Sequence, residues 1–197
     1  MAPRDREGGR TQRDREAWSH RTAVVFIPPV EAWPPLQAIR RVHDRQFQRW
    51  MPHVTLLYPF APREALPQHL PALEAACLGQ PAFTATLSAF HVFQHRADRS
   101  TVWLAPEPRE AFVRLQAALE QAAPAYAHTS RFAGGFTPHL SVGQSGSAER
   151  TAQLIRTLAE AWTPLPFRVA EISVIAREGN GPFEVVRTLR LGDASAG

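Results

Sequence analysis

Pro52-His53-Val54-Thr55-Leu56-Leu57-Tyr58-Pro59-Phe60 decides how this chain is read, because it has an echo at Pro138-His139-Leu140-Ser141-Val142-Gly143-Gln144. Both stretches run proline, histidine, aliphatic, hydroxyl, aliphatic. Aliphatic and β-branched residues between Pro and Gly punctuation predict strands. Along a strand, residues i and i+2 share a face. His53 therefore shares a face with Thr55, and His139 with Ser141. Val54 and Leu56, like Leu140 and Val142, face the other way and can pack into a core. Each stretch presents one imidazole beside one hydroxyl on rigid backbone.

Two such strands facing each other surround a small volume with two imidazoles and two hydroxyls. That set suits phosphoester chemistry. Cleaving a phosphodiester needs a base for the attacking oxygen and an acid for the leaving oxygen. Imidazole titrates near neutral pH, so one ring can be neutral while the other is protonated. The hydroxyls can donate to the non-bridging oxygens as charge shifts in the transition state. The expected catalytic set is His53, His139, Thr55 and Ser141, with no metal and no cofactor.

Outward from these strands, the chain divides regularly. Residues 1–20 alternate Arg with acids, lack periodicity and read as a disordered tail. Thr22–Pro29 predicts a buried strand, and Pro34-Pro35 opens a helix with a stripe of Leu36, Ile39, His43, Phe47 and Trp50. The first histidine strand follows over 53–60. A second helix is expected over 67–77. A hairpin of 83–94 and 101–106 then carries His95–Arg99 at its tip. A third helix begins near Pro108. A loop over 124–137 contains Tyr126, His128, Arg131 and Gly134-Gly135 and leads into the second histidine strand. Ser147 is the expected N-cap of a fourth helix. A last hairpin is predicted over Phe167–Arg177 and Phe183–Leu191, and 193–197 form a tail.

This order contains an internal repeat of helix, Pro-His strand, helix and hairpin. Phe83 lies 30 residues after His53 and Phe167 lies 28 after His139, each opening a hairpin. The expected organisation is one bilobal domain over 21–192, with lobes of about 21–106 and 107–192. Packing two lobes about a pseudo-twofold buries sheet faces that one lobe leaves open, and it brings the histidine strands into one cleft. The remaining histidines (His20, His43, His69, His91, His95 and His128) read as structural or surface residues.

Composition sets outer bounds. The 197 residues are 44% hydrophobic and 20% charged, which fits a globular domain. The single cysteine, Cys77, excludes an internal disulfide and reads as a small core residue. No apolar run reaches the length of a membrane span and no secretory signal is visible, so a cytoplasmic, membrane-free monomer is expected. Every basic residue is arginine, and the net charge is +4. A modest positive balance fits a phosphate-bearing substrate. The chain has no His-Glu-x-x-His and no cysteine pair, which sets a zinc enzyme aside.

On His53-Val54-Thr55 and His139-Leu140-Ser141, the proline before each histidine, the Tyr58-Pro59-Phe60 extension, and Phe93 with Val102-Trp103-Leu104, the chain resembles the two-histidine (2H) phosphoesterase superfamily. Within it, the chain is similar to the bacterial 2′-5′ RNA ligase-like branch, over about residues 22–191. The resemblance implies an α+β bilobal fold: two antiparallel sheets about a central cleft, with helices outside. It implies metal-independent action on RNA ends or small nucleotides. The leading expectation is an RNA 2′,3′-cyclic phosphodiesterase giving 2′-phosphate ends, with reversible 2′-5′ RNA ligase activity in some members. By that analogy His53 protonates the leaving 3′ oxygen, His139 activates water, and Thr55 and Ser141 hold the phosphate. Many members carry arginine around the second motif, where this chain has Gly134 and Gln144, with Arg131 the nearest upstream arginine.

For substrate binding, single-stranded RNA ends are commonly gripped by stacking on aromatic rings. Phe93 and Tyr58 are the candidates, with Phe132 and Phe136 behind them; Arg131 and Gln144 are the polar candidates. Two other readings remain open: a phosphodiesterase for small nucleotides such as ADP-ribose cyclic phosphate or 2′-5′ oligoadenylate, and a non-catalytic RNA-binding protein on the same fold.

Overall fold

The computed structural model describes residues 18–128 and 134–193. The first strand is β1 (Thr22–Phe26), buried along its whole length, with four apolar residues after Thr22. Helix α1 (Trp33–His43) takes its two prolines in the first turn, where their missing N–H groups need no partner. It ends at His43, so Phe47 and Trp50 of the expected stripe fall in the following turn. The buried face of this helix is Leu36 and Arg40. Strand β2 (Val54–Leu57) and helix α2 (Leu66–Leu78) come next. The long hairpin of β3 (Phe83–Arg96) and β4 (Arg99–Glu107) leads to α3 (Arg109–Ala122). Strand β5 (Leu140–Ser145) is followed by α4 (Ala148–Ala161), where the Ser147 hydroxyl accepts from the Arg150 N–H at 3.4 Å, as an N-cap does. The last strands are β6 (Leu165–Val169), β7 (Glu171–Ala176) and β8 (Glu184–Arg190).

The α+β class and the antiparallel pairing match the sequence expectation. The eight strands run in the order β6-β3-β4-β5-β2-β1-β7-β8. The two expected sheets are the two four-stranded halves of this order. They meet at β5 and β2 through one residue pair, Val54 opposite Leu140. One half is built from the continuous middle of the chain, β3 to β6, and the other from its two ends. The β3–β4 hairpin joins β5 and β6, while β7 and β8 join β1 and β2. The sheet halves therefore do not divide at 106/107. The hairpin that looks like the end of the first lobe lies wholly in the half of the second histidine strand, where β4 corresponds by symmetry to β1 and β3 to β7.

The predicted strand over Phe167–Arg177 is two strands. Only Ala170 separates β6, at one edge of the sheet, from β7, next to the other edge. One residue can connect them only if the sheet curls until its ends approach. Phe26 on β1 records the curl: its ring stacks on Phe167 of β6 at 5.5 Å and meets the edge of Phe112 of α3 at 5.8 Å. The main core gathers residues from both halves, including Val54, Leu140, Leu73 and Leu115.

Part of the expected N-terminal tail is ordered. Ser19 exchanges backbone hydrogen bonds with Phe60 at 2.6 and 3.1 Å, and the Trp18 indole N–H donates to the Ala125 carbonyl at 3.2 Å. Residues 1–17 and 194–197 lie outside the described residues.

Candidate active site

Each histidine stands one residue before its strand, anchored by a fully buried neighbour: Val54 after His53 and Leu140 after His139. The two rings are held alike. Nδ1 of His53 lies 2.7 Å from the Met51 carbonyl, and Nδ1 of His139 lies 2.8 Å from the Thr137 carbonyl. A carbonyl can only accept, so Nδ1 carries the proton in both rings and Nε2 is the free nitrogen of each neutral imidazole.

The joint between the sheet halves sets the partners. With Val54 opposite Leu140 in antiparallel register, His53 falls opposite Ser141 and Thr55 falls opposite His139. All four share the face away from the core. Two concavities reflect this crossed arrangement. A polar one of about 190 Å³ is lined by His53 and Ser141 together with Arg40, Asp44, Trp50 and Gln144. A larger one of about 630 Å³ is lined by His139 and Thr55 together with Phe93, His95, Phe136 and Gly134.

The surroundings of the two imidazoles differ. The Trp50 ring stacks on His53, centroids 4.6 Å apart and planes 16° apart. Arg40 is 1% exposed. Its Nε donates to Asp44 at 2.9 Å, its Nη1 to Gln37 at 2.9 Å and its Nη2 to the Trp50 carbonyl at 2.7 Å. Asp44 in turn accepts from the Gln46 N–H and the Gln144 amide. On the other side, Phe93 meets His139 edge-on at 5.0 Å and stacks on Trp103 at 4.7 Å. Burial is the main cause that pushes the His53 imidazole down to about 4; the Met51 carbonyl opposes it, and Arg40 and His139 push the same way. Burial also lowers His139, with the Thr137 carbonyl opposing. Burial thus favours the neutral form of both rings at pH 7.

Of the sequence candidates, His53, Thr55, His139, Ser141 and Phe93 come together. Gln144 lines the cleft, but its amide laces β5 to the turn after α1, accepting from the Arg45 N–H at 2.8 Å and donating to Asp44 at 3.1 Å. Tyr58 lies outside both concavities, 5.5 Å from the Trp50 ring and 5.4 Å from His20. Phe136 is 8% exposed and lines the His139 side. Arg131 and Phe132 lie outside the described residues. Sequence reasoning missed Arg40 and Asp44, although their i,i+4 spacing at a helix end was a usable signal. It also assigned His95 to the surface. That ring is exposed, yet it lines the His139 concavity and its Nε2 lies 2.9 Å from the Thr101 hydroxyl. Among the described residues, no three His, Cys, Asp or Glu side chains gather as a metal site.

The fold resembles that of Escherichia coli LigT in its apo form, with a TM-score of 0.56 at 20% identity over 90% of this chain and 99% of that one. A Thermus thermophilus protein gives 0.58 at 22% identity, covering 88% and 98%. A Geobacillus kaustophilus protein whose name marks it as a candidate phosphoesterase is 23% identical over 174 residues, 86% of this chain and 95% of that one. Fold and paired motifs together define a two-histidine phosphoesterase. Residues 28–181 match the model of the 2′-5′ RNA ligase superfamily, and the chain belongs to that family.

Proposed function

We propose that the protein is a metal-independent RNA 2′,3′-cyclic phosphodiesterase that leaves 2′-phosphate ends, with a reversible 2′-5′ RNA ligase activity in which a 5′ hydroxyl attacks the cyclic phosphate in place of water. One observation carries this reading: two imidazoles, each with Nδ1 committed to a backbone carbonyl, flank one cleft and stand opposite the hydroxyls of Ser141 and Thr55. Two neutral rings need one proton between them to act as an acid–base pair. An anionic phosphate in the cleft favours that proton by opposing the burial that holds both rings neutral. Thr55 and Ser141 donate to its non-bridging oxygens. Escherichia coli LigT has been crystallised with 3′-AMP, in a fold that this chain resembles with a TM-score of 0.57 at 21% identity. A nucleotide ligand suits the cleft proposed here.

A second reading, hydrolysis of a small nucleotide, is favoured by Gln144. Its amide is committed to Asp44 and Arg45 at a position where an arginine would add charge for a longer anionic strand.

The test is product analysis with EDTA present, on an RNA ending in a 2′,3′-cyclic phosphate and on a small cyclic nucleotide. A 2′-phosphate product from the RNA that disappears in both His53→Ala and His139→Ala supports the first reading. Turnover of the small substrate alone favours the second. No turnover of either sinks both.

A further inference from the structure

Resting on the cyclic phosphodiesterase reading, we propose a second binding site, outside the cleft: Arg21, Arg63 and Arg177 hold a backbone phosphate of the RNA strand whose cyclic end lies between the histidines. Register sets two of these arginines side by side. The Arg177 N–H donates to the Arg21 carbonyl at 2.9 Å. That bond extends the β1–β7 ladder one pair beyond Thr22 and Ala176, so Arg21 stands opposite Arg177. Like charges directly opposite each other in a sheet are destabilising. Among the described residues, neither guanidinium has a carboxylate within ion-pair distance. Arg177 is also fixed in place. Its Nη1 donates to the Gly179 carbonyl at 2.5 Å, and its guanidinium lies over the Phe183 ring at 5.5 Å. Its Nε is shielded from solvent and unpartnered among the described residues, so part of this charge is poorly solvated. A bound anion relieves both costs.

The pair opens onto a concavity of about 510 Å³, within the range of small-molecule sites, roughly 300–1,000 Å³. Arg63 reaches it from the segment after β2, and Trp18 adds an aromatic ring. Glu64 and Glu178 line it as well, which leaves the arginines in excess. Glu178 lies 3.3 Å from Arg63, but the two side chains are 86% and 51% exposed. An ion pair so exposed contributes little, and it opens readily to an incoming phosphate. The planar fork of guanidinium matches phosphate oxygens two at a time.

Position says which phosphate. Arg21, Ala23 and Val25 alternate onto one face of β1, and Val25 pairs with Thr55 of β2. The arginine pair therefore shares the sheet face of Thr55, about 13 Å further along the strand. Between the two places, Trp50, Tyr58 and Phe183 cover Ala23, Val25 and Ile175. Phe183 lies 3.9 Å from the same Trp50 ring that stacks on His53. An RNA carries its cyclic phosphate on its last nucleotide, so the upstream strand has to leave the cleft. Its backbone phosphates are the anions that reach the arginines while the cyclic end is bound. Tyr58, outside both cleft concavities, lies along this route and offers a ring for a base to stack on.

The test compares a cyclic mononucleotide with RNA strands of increasing length that carry the same cyclic end. The readout is the length gain, the ratio of kcat/KM on the longest strand to kcat/KM on the mononucleotide, so damage to the cleft cancels. Arg21→Gln and Arg177→Gln are the variants, and Arg156→Gln on the exposed face of α4 controls for overall charge. The Arg21 side chain has no ion-pair or hydrogen-bond partner among the described residues, so Arg21→Gln guards against misfolding. The expected result is a wild-type length gain that falls about 10–100-fold in Arg21→Gln and Arg177→Gln, the scale of one contact to a charged group, and persists in Arg156→Gln. The salt dependence of strand binding should also drop, by about one in log–log slope. A wild type without a length gain, a gain that Arg21→Gln keeps, or an equal loss in Arg156→Gln overturns the site and leaves the cyclic phosphodiesterase reading intact. Anisotropy on strands ending in 2′-phosphate reads the site without turnover. If the wild type opens no cyclic end, that reading fails, while affinity that rises with length and falls in Arg21→Gln still supports the site. Inorganic phosphate that binds through Arg21 while strand length has no effect assigns the site to a free anion and overturns the strand.

Discussion

Val54 of β2 lies directly opposite Leu140 of β5, and this one pair joins the two four-stranded halves of the sheet. Because it does, each histidine stands across from the other motif's hydroxyl. Thr55→Val and Ser141→Ala should each lower kcat by about 10–10³-fold, the scale of one lost donor to a developing anion. Double-mutant cycles on kcat separate the crossed arrangement from one in which each strand acts alone. Thr55 should couple more strongly to His139 than to His53, and Ser141 more strongly to His53. Equal coupling within each strand contradicts the crossed pairing.

The Arg40–Asp44 pair is closed off from solvent, with side chains 2% and 4% exposed. Removing one partner leaves the other charged and buried. Arg40→Met should cost about 3–5 kcal/mol of stability by urea unfolding. Adding Asp44→Asn should recover a good part of that loss, since the stranded carboxylate is then gone. A double variant no more stable than the single one argues against the pair as the cause.

Gly143 permits the close approach of α1 to β5. A Cβ there would lie 2.6 Å from the His43 Cβ and 3.0 Å from the His43 carbonyl oxygen, so the helix end must shift. Gly143→Ala should destabilise by about 1–3 kcal/mol. The same shift pulls Asp44 from Gln144 and disturbs the His53 side of the cleft, so kcat should fall in step with stability. Unchanged melting and turnover would mean that the helix yields at no cost.

Burial of neutral His53 sets a pH dependence with a definite sign. Its pKa falls from an ordinary 6.5 to about 4 on folding. Between those values the unfolded chain binds the proton more readily, so stability is full above pH 6.5 and is lost as pH falls toward 4. The wild type should lose stability over that window more steeply than His53→Gln, by on the order of 3 kcal/mol at most. Parallel stability curves from about pH 7 to 4 would show that His53 is not held neutral.

Much of the site could be read before any coordinates. The Pro-His-x-hydroxyl echo gave both histidines, both hydroxyls and their shared face, because period-two alternation is a local property of a strand. Gly and Pro punctuation placed most helices and the long hairpin. The break at Ala170 escaped, because a run of strand-forming residues looks continuous when its two parts pair with different partners. Arg40 escaped for a related reason. An arginine on a helix reads as solvated until the fold shows that Asp44, Trp50 and β5 surround it.

The sequence by itself determined that two histidine strands exist, which faces they present and which family the chain resembles, since strand periodicity and motif identity are written in consecutive residues. Tertiary structure alone decided that each hairpin joins the half of the other repeat's histidine strand, that His53 faces Ser141 while His139 faces Thr55, and that one imidazole lies beside a buried guanidinium and the other beside Phe93. Those facts depend on register and on contacts between residues about 100 positions apart, such as Asp44 with Gln144. Many pairings of such distant segments satisfy the same local pattern, and only the packing of the whole core selects one.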